Sequence, residues 1–564
     1  MYYGATSRPR VTPSAHLRPL LVATAIVATL LGLAATWYYA AHDLTLSHYD
    51  AKAHLVVARR IFDSLTPGWR QIGAVWLPLP HVLNALPVQV DAWYRTGGSG
   101  IAISLLSFVT AAVALVWYVQ RSTGVLAASV VTAAVFLLQP DLLYLQATPM
   151  TEALLLGLTV LGVVLLARWA ETGGVGRAWP AGLALALACL TRYESWPVTA
   201  AALAVAAVVV WRPGWLPGSD LRRAVVGSDL NRTVAGSDLP RVAAGSDLPR
   251  AAHVPLSAPL AIARVARVGI WPLGAFLGFL VLSKATVGAW LVTGGFYVAE
   301  NPAHGDPLLA LTQVGWGLGR IAGWPATWLA GLAALVVLVE GVRSPRRRTW
   351  WFALALCGCA ALPFYAFISG HPFRIRYMVP LLAATAALNG LLIATLPRKA
   401  RWVGALVVLG LLAADRRPLG LTSPMLEEAQ WDRSNQAARR DVTACLMQEW
   451  QGEPILVSMG ALAHYMQELS VDGFALRDFV HEGIGDIWYA AIDAPAHHVT
   501  WWLLEERAEG GDMFAARLAE DPSYLDGFER RCEGGGVALY RRVGSAAPRQ
   551  HGPATRVGPV APAG

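Results

Sequence analysis

Charge is scarce in this sequence. Asp, Glu, Lys and Arg make up 15% of its 564 residues, against about 25% in an ordinary soluble domain. Hydrophobic residues make up 55%. That excludes a string of conventional soluble domains, which length alone would allow. Lysine is nearly missing and occurs only at Lys52, Lys284 and Lys399, so the net charge of +8 is carried by arginine. The arginines stand at the ends of apolar runs rather than in one basic stripe, which excludes a nucleic-acid partner. The bias towards Arg and Ala is that of a GC-rich, bacterial coding sequence. Cysteine is also scarce, with five residues. Cys189, Cys357 and Cys359 fall in apolar runs and read as small hydrophobes. Cys445 and Cys532 fall in the polar C-terminal region, and no pair has zinc-ligand spacing with histidines. No small-residue cleavage site follows the first apolar run, Leu20 to Tyr39. That run is too long for a signal-peptide core and reads as a membrane helix.

Long apolar runs are what the chain has in quantity. Several reach the roughly 20 residues that cross about 30 Å of hydrocarbon. Further spans are predicted to start near Ile101, Val125, Glu152, Trp179, Trp196, Val268, Val314, Trp350, Tyr377 and Arg401, about eleven in all. Orientation follows the Lys/Arg bias of the short loops. If residues 1–18 form a cytoplasmic N-terminus, the inside segments hold Arg121, Arg168 with Arg177, the Arg-rich stretch 212–267, Arg343 with Arg346 to Arg348, and Arg398 with Lys399 and Arg401. The outside segments, 42–98, 140–150, 192–195, 284–312 and 369–376, are mixed in charge. The expectation is an all-α polytopic membrane bundle of about 11 transmembrane helices over 19–415, multi-pass in the plasma (inner) membrane. A small extracytoplasmic α/β domain over 416–545 and a disordered tail over 546–564 follow it.

The segment 213–266 reads as a flexible cytoplasmic loop. It contains a tandem nonapeptide, GSDLRRAVV, GSDLNRTVA, GSDLPRVAA and GSDLPRAAH, over 218–253. With one Gly and one Asp per repeat it lacks the ligand density of a calcium-binding solenoid. Within 416–545, Pro454 to Met459 reads as a buried strand turning into a helix over Ala461 to Leu469. Val499 to Leu504 and Val537 to Arg542 read as two more strands. An extracytoplasmic domain permits disulfides, so Cys445 and Cys532 are either a pair or two free thiols.

Four polar clusters lie on the predicted outer side, where ionisable groups next to lipid are functional hints. The first is Ser47 to His54, including His48, Asp50, Lys52 and His54. From Asp50 to Ser64 the pattern is amphipathic and predicts an interfacial helix. Asp50 in its first turn is held ionised by the helix dipole, as a general base or metal ligand requires; a plain helix N-cap is the other reading. The second, Pro67 to His81, includes Gln71, Trp76 and His81. Trp76 reads equally as an interfacial anchor. The third, Gln146 to Glu152, has Thr148 as a cap and Pro149 in a first helical turn. Glu152 must face protein or water, as a site acid or as a capping-box acid. The fourth, His371 to Tyr377, carries Arg374 and Arg376. Guanidinium forks bind phosphate, and snorkelling to headgroups is the alternative. Arg192 with Glu194, at a hinge between spans, is a ligand site or a structural ion pair.

Taken in order, a first membrane helix, an outer loop opening with Asp50, an amphipathic helix and the Trp76-Leu-Pro-Leu stretch resemble the GT-C glycosyltransferase fold. Its members include protein O-mannosyltransferases, aminoarabinose transferases and the oligosaccharyltransferase catalytic subunit. Thr148-Pro-Met-Thr-Glu152, Thr191-Arg-Tyr-Glu194 and Arg374-Ile-Arg-Tyr377 resemble segments of bacterial relatives of the mannosyltransferase branch. The resemblance covers roughly 20–400. It implies transfer of a sugar from a polyprenyl-phosphate donor, in the lipid bilayer, to a glycan, lipid or protein acceptor on the outer face, with inversion. It implies Asp50 and Glu152 as catalytic acids and Arg374, Arg376 and Arg192 as donor-phosphate ligands. The implied substrate pocket comprises His48, Lys52, His54, Gln71, Trp76, His81, Gln146, Glu194, His371 and Tyr377. The family often has a second acid beside the first. Here Ala51 and Lys52 follow Asp50, which leaves His48 and His54 as further ligands for a divalent cation such as Mg or Mn. The rival class is a transporter or lipid-linked-sugar flippase, which would use the same charges along a path. Against it, no inverted repeat or pair of broken helices is visible.

Overall fold

The structure, a computed structural model, describes residues 17–211, 256–292, 301–415, 417–507 and 512–544. The nonapeptide stretch 218–253, most of the loop 213–266, nearly all of the N-terminal 1–18 segment and the tail 546–564 lie outside the described residues. The chain divides into two compact units. One comprises residues up to 46, 74–83 and 97–429; the other comprises 47–73, 84–96 and 430 onward.

The first unit is a polytopic helical bundle of an integral membrane protein. Among the described residues seven helices are long and apolar enough to cross a membrane: Leu17–Ala40, Gly98–Thr123, Glu152–Glu171, Ala258–Val287, Trp324–Arg343, Pro345–Ile368 and Ile375–Thr395. Three other expected spans are shorter apolar helices, Leu126–Leu137, Trp179–Cys189 and Ser195–Trp211. The last, Arg401–Asp415, has 15 residues. The shortening has local causes. The run from Val125 stops at Leu137, because Pro140 cannot continue a helix and opens the separate turn Pro140–Leu145. The span expected from Val314 starts instead at Trp324. Before it stands Pro307–Ala322, capped by Asp306, whose carboxylate accepts from the N–H groups of Leu308 and Leu309. Gly323, at φ 83°, separates the two helices.

Glu152–Glu171 and Ile375–Thr395 are buried over most of their surface, whereas Leu17–Ala40 and Ala258–Val287 expose long rows of Leu, Val and Ile. Apolar exposure of that kind suits lipid. Small residues let the inner helices approach closely. A methyl group on Gly157 would lie 2.8 Å from the Ser107 carbonyl oxygen, and one on Gly390 would lie 2.8 Å from that of Ala128.

The second unit is built on a five-stranded sheet: β1 (Ile455–Val457), β2 (Phe479–Val480), β3 (Trp501–Glu505), β4 (Phe528–Gly534) and β5 (Val537–Arg542). Their spatial order is β2-β1-β3-β5-β4. β1 runs parallel to β2 and β3, and β5 runs antiparallel to β3 and β4. Gly535 and Gly536, at φ 60° and 84°, make the tight β4–β5 turn, a conformation that left-handed turns demand. Leu456, Trp488, Trp502, Phe514 and Tyr540 centre its core. Cys445 and Cys532 are joined in a disulfide that ties the helix Arg433–Glu449 to β4. The three expected strands are present. β2, two residues long, and β4, a largely polar strand, were not visible in the apolar pattern.

The boundary expected at 416 falls at 430 in this division, because the helix Pro424–Ala429 is held to the membrane bundle: Met425 N–H donates to Asp141 Oδ1 at 2.9 Å. The first-loop helix is Tyr49–Arg59, and it is not the half-exposed interfacial helix expected over Asp50 to Ser64. Every residue from Asp50 to Ala58 is buried, and the helix packs against Met459–Leu469 of the sheet unit. A buried lysine is tolerated there because its charge is matched (below).

Candidate active site

Glu152 opens the helix Glu152–Glu171 and is fully buried. It faces Arg192, in the turn between Trp179–Cys189 and Ser195–Trp211. Ser195 Oγ shapes that turn by donating to the carbonyls of Ala188 at 2.9 Å and Arg192 at 2.8 Å. Arg192 Nη1 donates to Glu152 Oε1 at 2.9 Å and to Thr151 Oγ1 at 3.1 Å. Its other edge grips Glu194, Nη2 to Oε1 at 2.8 Å and Nε to Oε1 at 3.0 Å. One guanidinium thus bridges two buried carboxylates. Among the described residues, Glu152 Oε2 has no hydrogen-bond partner. It is a buried acceptor available to a ligand hydroxyl. Glu194 also lines a small pocket whose other walls are mainly apolar, including Leu155, Leu156, Val198 and Leu356.

The 74–83 segment lies against the same turn. Leu79 N–H donates to the Leu190 carbonyl at 2.9 Å, and Tyr193 Oη donates to that of Val75 at 3.3 Å. Trp76 stacks on the buried His81 at 5.9 Å between ring centroids. From much later in the chain come Arg374 and Arg376, both buried, on and beside the 3-10 turn Ile375–Met378. Arg376 is near enough for its charge to act on Arg192, and it sits 5.9 Å from the centre of the Tyr377 ring. Tyr377 Oη lies 3.2 Å from His371 Nε2. Asn301 fixes the approach by donating to the carbonyls of Phe367 and His371. Asn301 had no sequence signal, since it carries neither charge nor a spacing that marks it, whereas Thr151 lay inside the third polar cluster.

Three expectations in this unit meet a different arrangement. Thr148 is not the helix cap. The helix begins at Glu152, with Thr151 at the cap position, and Thr148 Oγ1 donates to Leu145 O at 2.7 Å. Gln146 is a bracket between helices, its Nε2 donating to Gly32 O at 2.9 Å and Leu143 O at 3.1 Å. Arg192, expected on a lipid phosphate, has its donors turned to carboxylates.

His48, Asp50, Lys52, His54 and Gln71 belong to the other unit. His48 is the helix cap, its Nδ1 accepting from Asp50 N–H at 3.1 Å, so Asp50 sits inside the first turn rather than at the cap. Lys52 Nζ lies 2.6 Å from Glu468 Oε1. Burial raises the Glu468 carboxyl, but Lys52 and Arg439 outweigh it and hold it below its usual range. Beside it burial pushes His464 down to about 4, leaving it neutral at pH 7. Gln71 Nε2 donates to Thr66 O at 2.8 Å and Gly483 O at 2.7 Å, which stitches the loop to the sheet unit. Among the described residues no three His, Cys, Asp or Glu side chains gather as a metal site. His48, Asp50 and His54, expected to hold Mg or Mn, form no such group.

No protein-family model matches the chain, and no curated protein matches it. Among solved structures the chain is similar to ArnT from Cupriavidus metallidurans in the apo state. The TM-score is 0.54 at 13% identity, over 96% of this chain and 100% of that one. It is similar to the same protein bound to undecaprenyl phosphate, with TM-score 0.54 and 13% identity over 95% and 100%. The chain therefore shares the fold of ArnT over nearly its whole length.

Proposed function

We propose that this protein is a glycosyltransferase of the inner membrane that moves a sugar from a polyprenyl-phosphate carrier to a glycan, lipid or protein acceptor on the outer face. The observation that carries the reading is the buried Glu152–Arg192–Glu194 clamp, on a fold whose solved counterpart holds undecaprenyl phosphate. The Cys445–Cys532 disulfide supports an extracytoplasmic C-terminal unit, because such bonds persist in oxidising compartments.

In this mechanism the acceptor oxygen attacks the anomeric carbon. The bond from that carbon to the phosphate oxygen breaks, and its electron pair leaves on the lipid phosphate. Arg374 and Arg376 neutralise the departing phosphate. Arg192 holds Glu152 in place, and Glu152 Oε2 accepts a hydroxyl of the sugar or acceptor. Asp50 takes the acceptor proton, a role carried by its match to the family's first-loop acid.

The test is the purified protein in detergent with polyprenyl-phosphate sugars and membrane-derived acceptors. Release of free polyprenyl phosphate, lost in Asp50→Asn and Glu152→Gln, supports the transferase. Movement of intact lipid-linked sugar across vesicles, with no phosphate lipid released, would indicate a flippase instead.

A further inference from the structure

The helix Tyr49–Arg59 is gripped at both ends of one face. Lys52, only 2% exposed, pairs with Glu468 at 2.6 Å. Seven residues on, Arg59 bonds Asp63 at 3.1 Å and Asp91 at 2.6 Å and lies 4.5 Å from the centre of the Tyr94 ring. Seven residues are close to two helical turns, so Lys52 and Arg59 fall on one line along the helix. Glu468 is itself held. Arg439 reaches it through Nε at 3.1 Å and Nη2 at 2.8 Å, and its own position is set by Asp432 at 3.0 and 2.6 Å. An ion pair whose acceptor is fixed by a buried guanidinium has a fixed direction.

Asp50 precedes Lys52 by two residues, about 200° around the helix. It stands on the opposite side of the helix, in line with His54 four residues on. Anchoring Lys52 and Arg59 therefore sets where Asp50 stands. Burying an ammonium group for stability alone is poor design, since a well-packed apolar side chain serves as well or better. A direction-giving pair has a use that an apolar contact lacks.

We infer that Lys52 is a positioning residue: its ion pair with Glu468, together with Arg59 at the far end, fixes the roll of the first-loop helix and so the place of the Asp50 carboxylate. This rests on the transferase reading, in which Asp50 takes the acceptor proton. Misplacing a reacting group by about 1 Å costs on the order of a hundredfold in rate, so a roll of this short helix is expected to show in kcat.

The experiment compares full-length Lys52→Met and Lys52→Arg with the wild type in lipid nanodiscs. Lys52→Met leaves Glu468 bonded to Arg439, so the sheet unit keeps its own network. Amide hydrogen exchange is read over residues 49–59 and over β3 and β5, alongside steady-state transfer from a polyprenyl-phosphate sugar. The expected result for Lys52→Met is exchange at least about tenfold faster in 49–59, with β3 and β5 unchanged. Its kcat falls at least about tenfold at an unchanged KM for the lipid donor, and Lys52→Arg recovers most of the loss. A Lys52→Met kcat within about twofold of wild type overturns the inference. So does a loss that Lys52→Arg fails to restore, or faster exchange spread over the whole sheet unit. If the wild type itself releases no polyprenyl phosphate, the transferase reading falls, and the exchange over 49–59 alone decides whether Lys52 sets the helix.

Discussion

Arg192 Nη1 lies 2.9 Å from Glu152 Oε1, while the opposite edge of the same guanidinium holds Glu194 at 2.8 Å. Two helices that start far apart in sequence are thus joined through one cation. Arg192→Ala leaves two buried carboxylates without their counter-ion, and a cost of about 3–5 kcal/mol is expected. Arg192→Lys does not rescue it, because a point charge cannot span both acids. Thermal unfolding of the detergent-solubilised chain measures both. A Tm unchanged in Arg192→Ala contradicts the clamp.

Arg376 and Arg374 are expected to act on the donor. Hydrogen bonds to charged groups are worth about 1.5–3 kcal/mol, so Arg376→Ala should lower kcat/KM for the polyprenyl-phosphate sugar by roughly 10–100-fold. Inhibition by free polyprenyl phosphate should weaken in parallel. A variant that loses turnover but still binds the free lipid phosphate as tightly as wild type assigns Arg376 elsewhere.

The Cys445–Cys532 bond closes a stretch of 87 residues around the sheet. Removing such a link typically costs about 2–5 kcal/mol. Cys445→Ser with Cys532→Ser should lower the Tm markedly, while Cys189→Ser, in the bundle, stays near wild type. Non-reducing peptide mapping shows the linked pair directly. Two free thiols in the native protein would be the contrary result.

Burial pushes the Glu505 carboxyl up to about 7 and that of Asp512 up to about 6, and Glu505 N–H donates to Asp512 Oδ2 at 3.1 Å. Folded-state values above the unfolded ones mean that the folded chain binds these protons more tightly. Their contribution is complete below about pH 4 and is lost as pH rises through 6 to 7. His464 and His481, pushed down by burial to about 4 and about 3, work in the opposite sense below about pH 6.5, so the comparison belongs above it. The wild type should lose stability from pH 6.5 to about 7.5 and level off above it, by about 1 kcal/mol in all, and Glu505→Gln should lose less. Parallel curves for the two proteins would refute the assignment.

The bundle was legible because crossing lipid demands long apolar runs, and Leu17–Ala40, Glu152–Glu171 and Ile375–Thr395 supply them. The break at Gly323 was not, since hydropathy continues across it and only backbone conformation marks the stop. In the site, Glu152, Arg192, Glu194 and Arg376 stood out as charges placed where charge is expensive. Gln146 stood out by the same rule, and its amide satisfies helix carbonyls. The burial of Tyr49–Arg59 was beyond sequence, because an amphipathic repeat fixes which face is apolar and not what covers the other. β4 hid because an edge strand carries Glu529, Arg530, Arg531 and Glu533 where an inner strand carries Val or Leu.

Lys52 meets its partner 416 positions later in the chain. At about 5–20 residues per second, the ribosome delivers Glu468 roughly 20–80 s after Lys52 has emerged. Through that interval the helix that carries Asp50 has no counter-ion to bury its lysine against, and it must wait hydrated while most of the bundle is threaded into lipid. Truncation upstream of Glu468, or slowed translation of the last quarter of the message, therefore leaves a nascent chain with its membrane part inserted and its first loop unmade. Quality-control proteases are expected to cut such a chain first between Ser47 and Gly73.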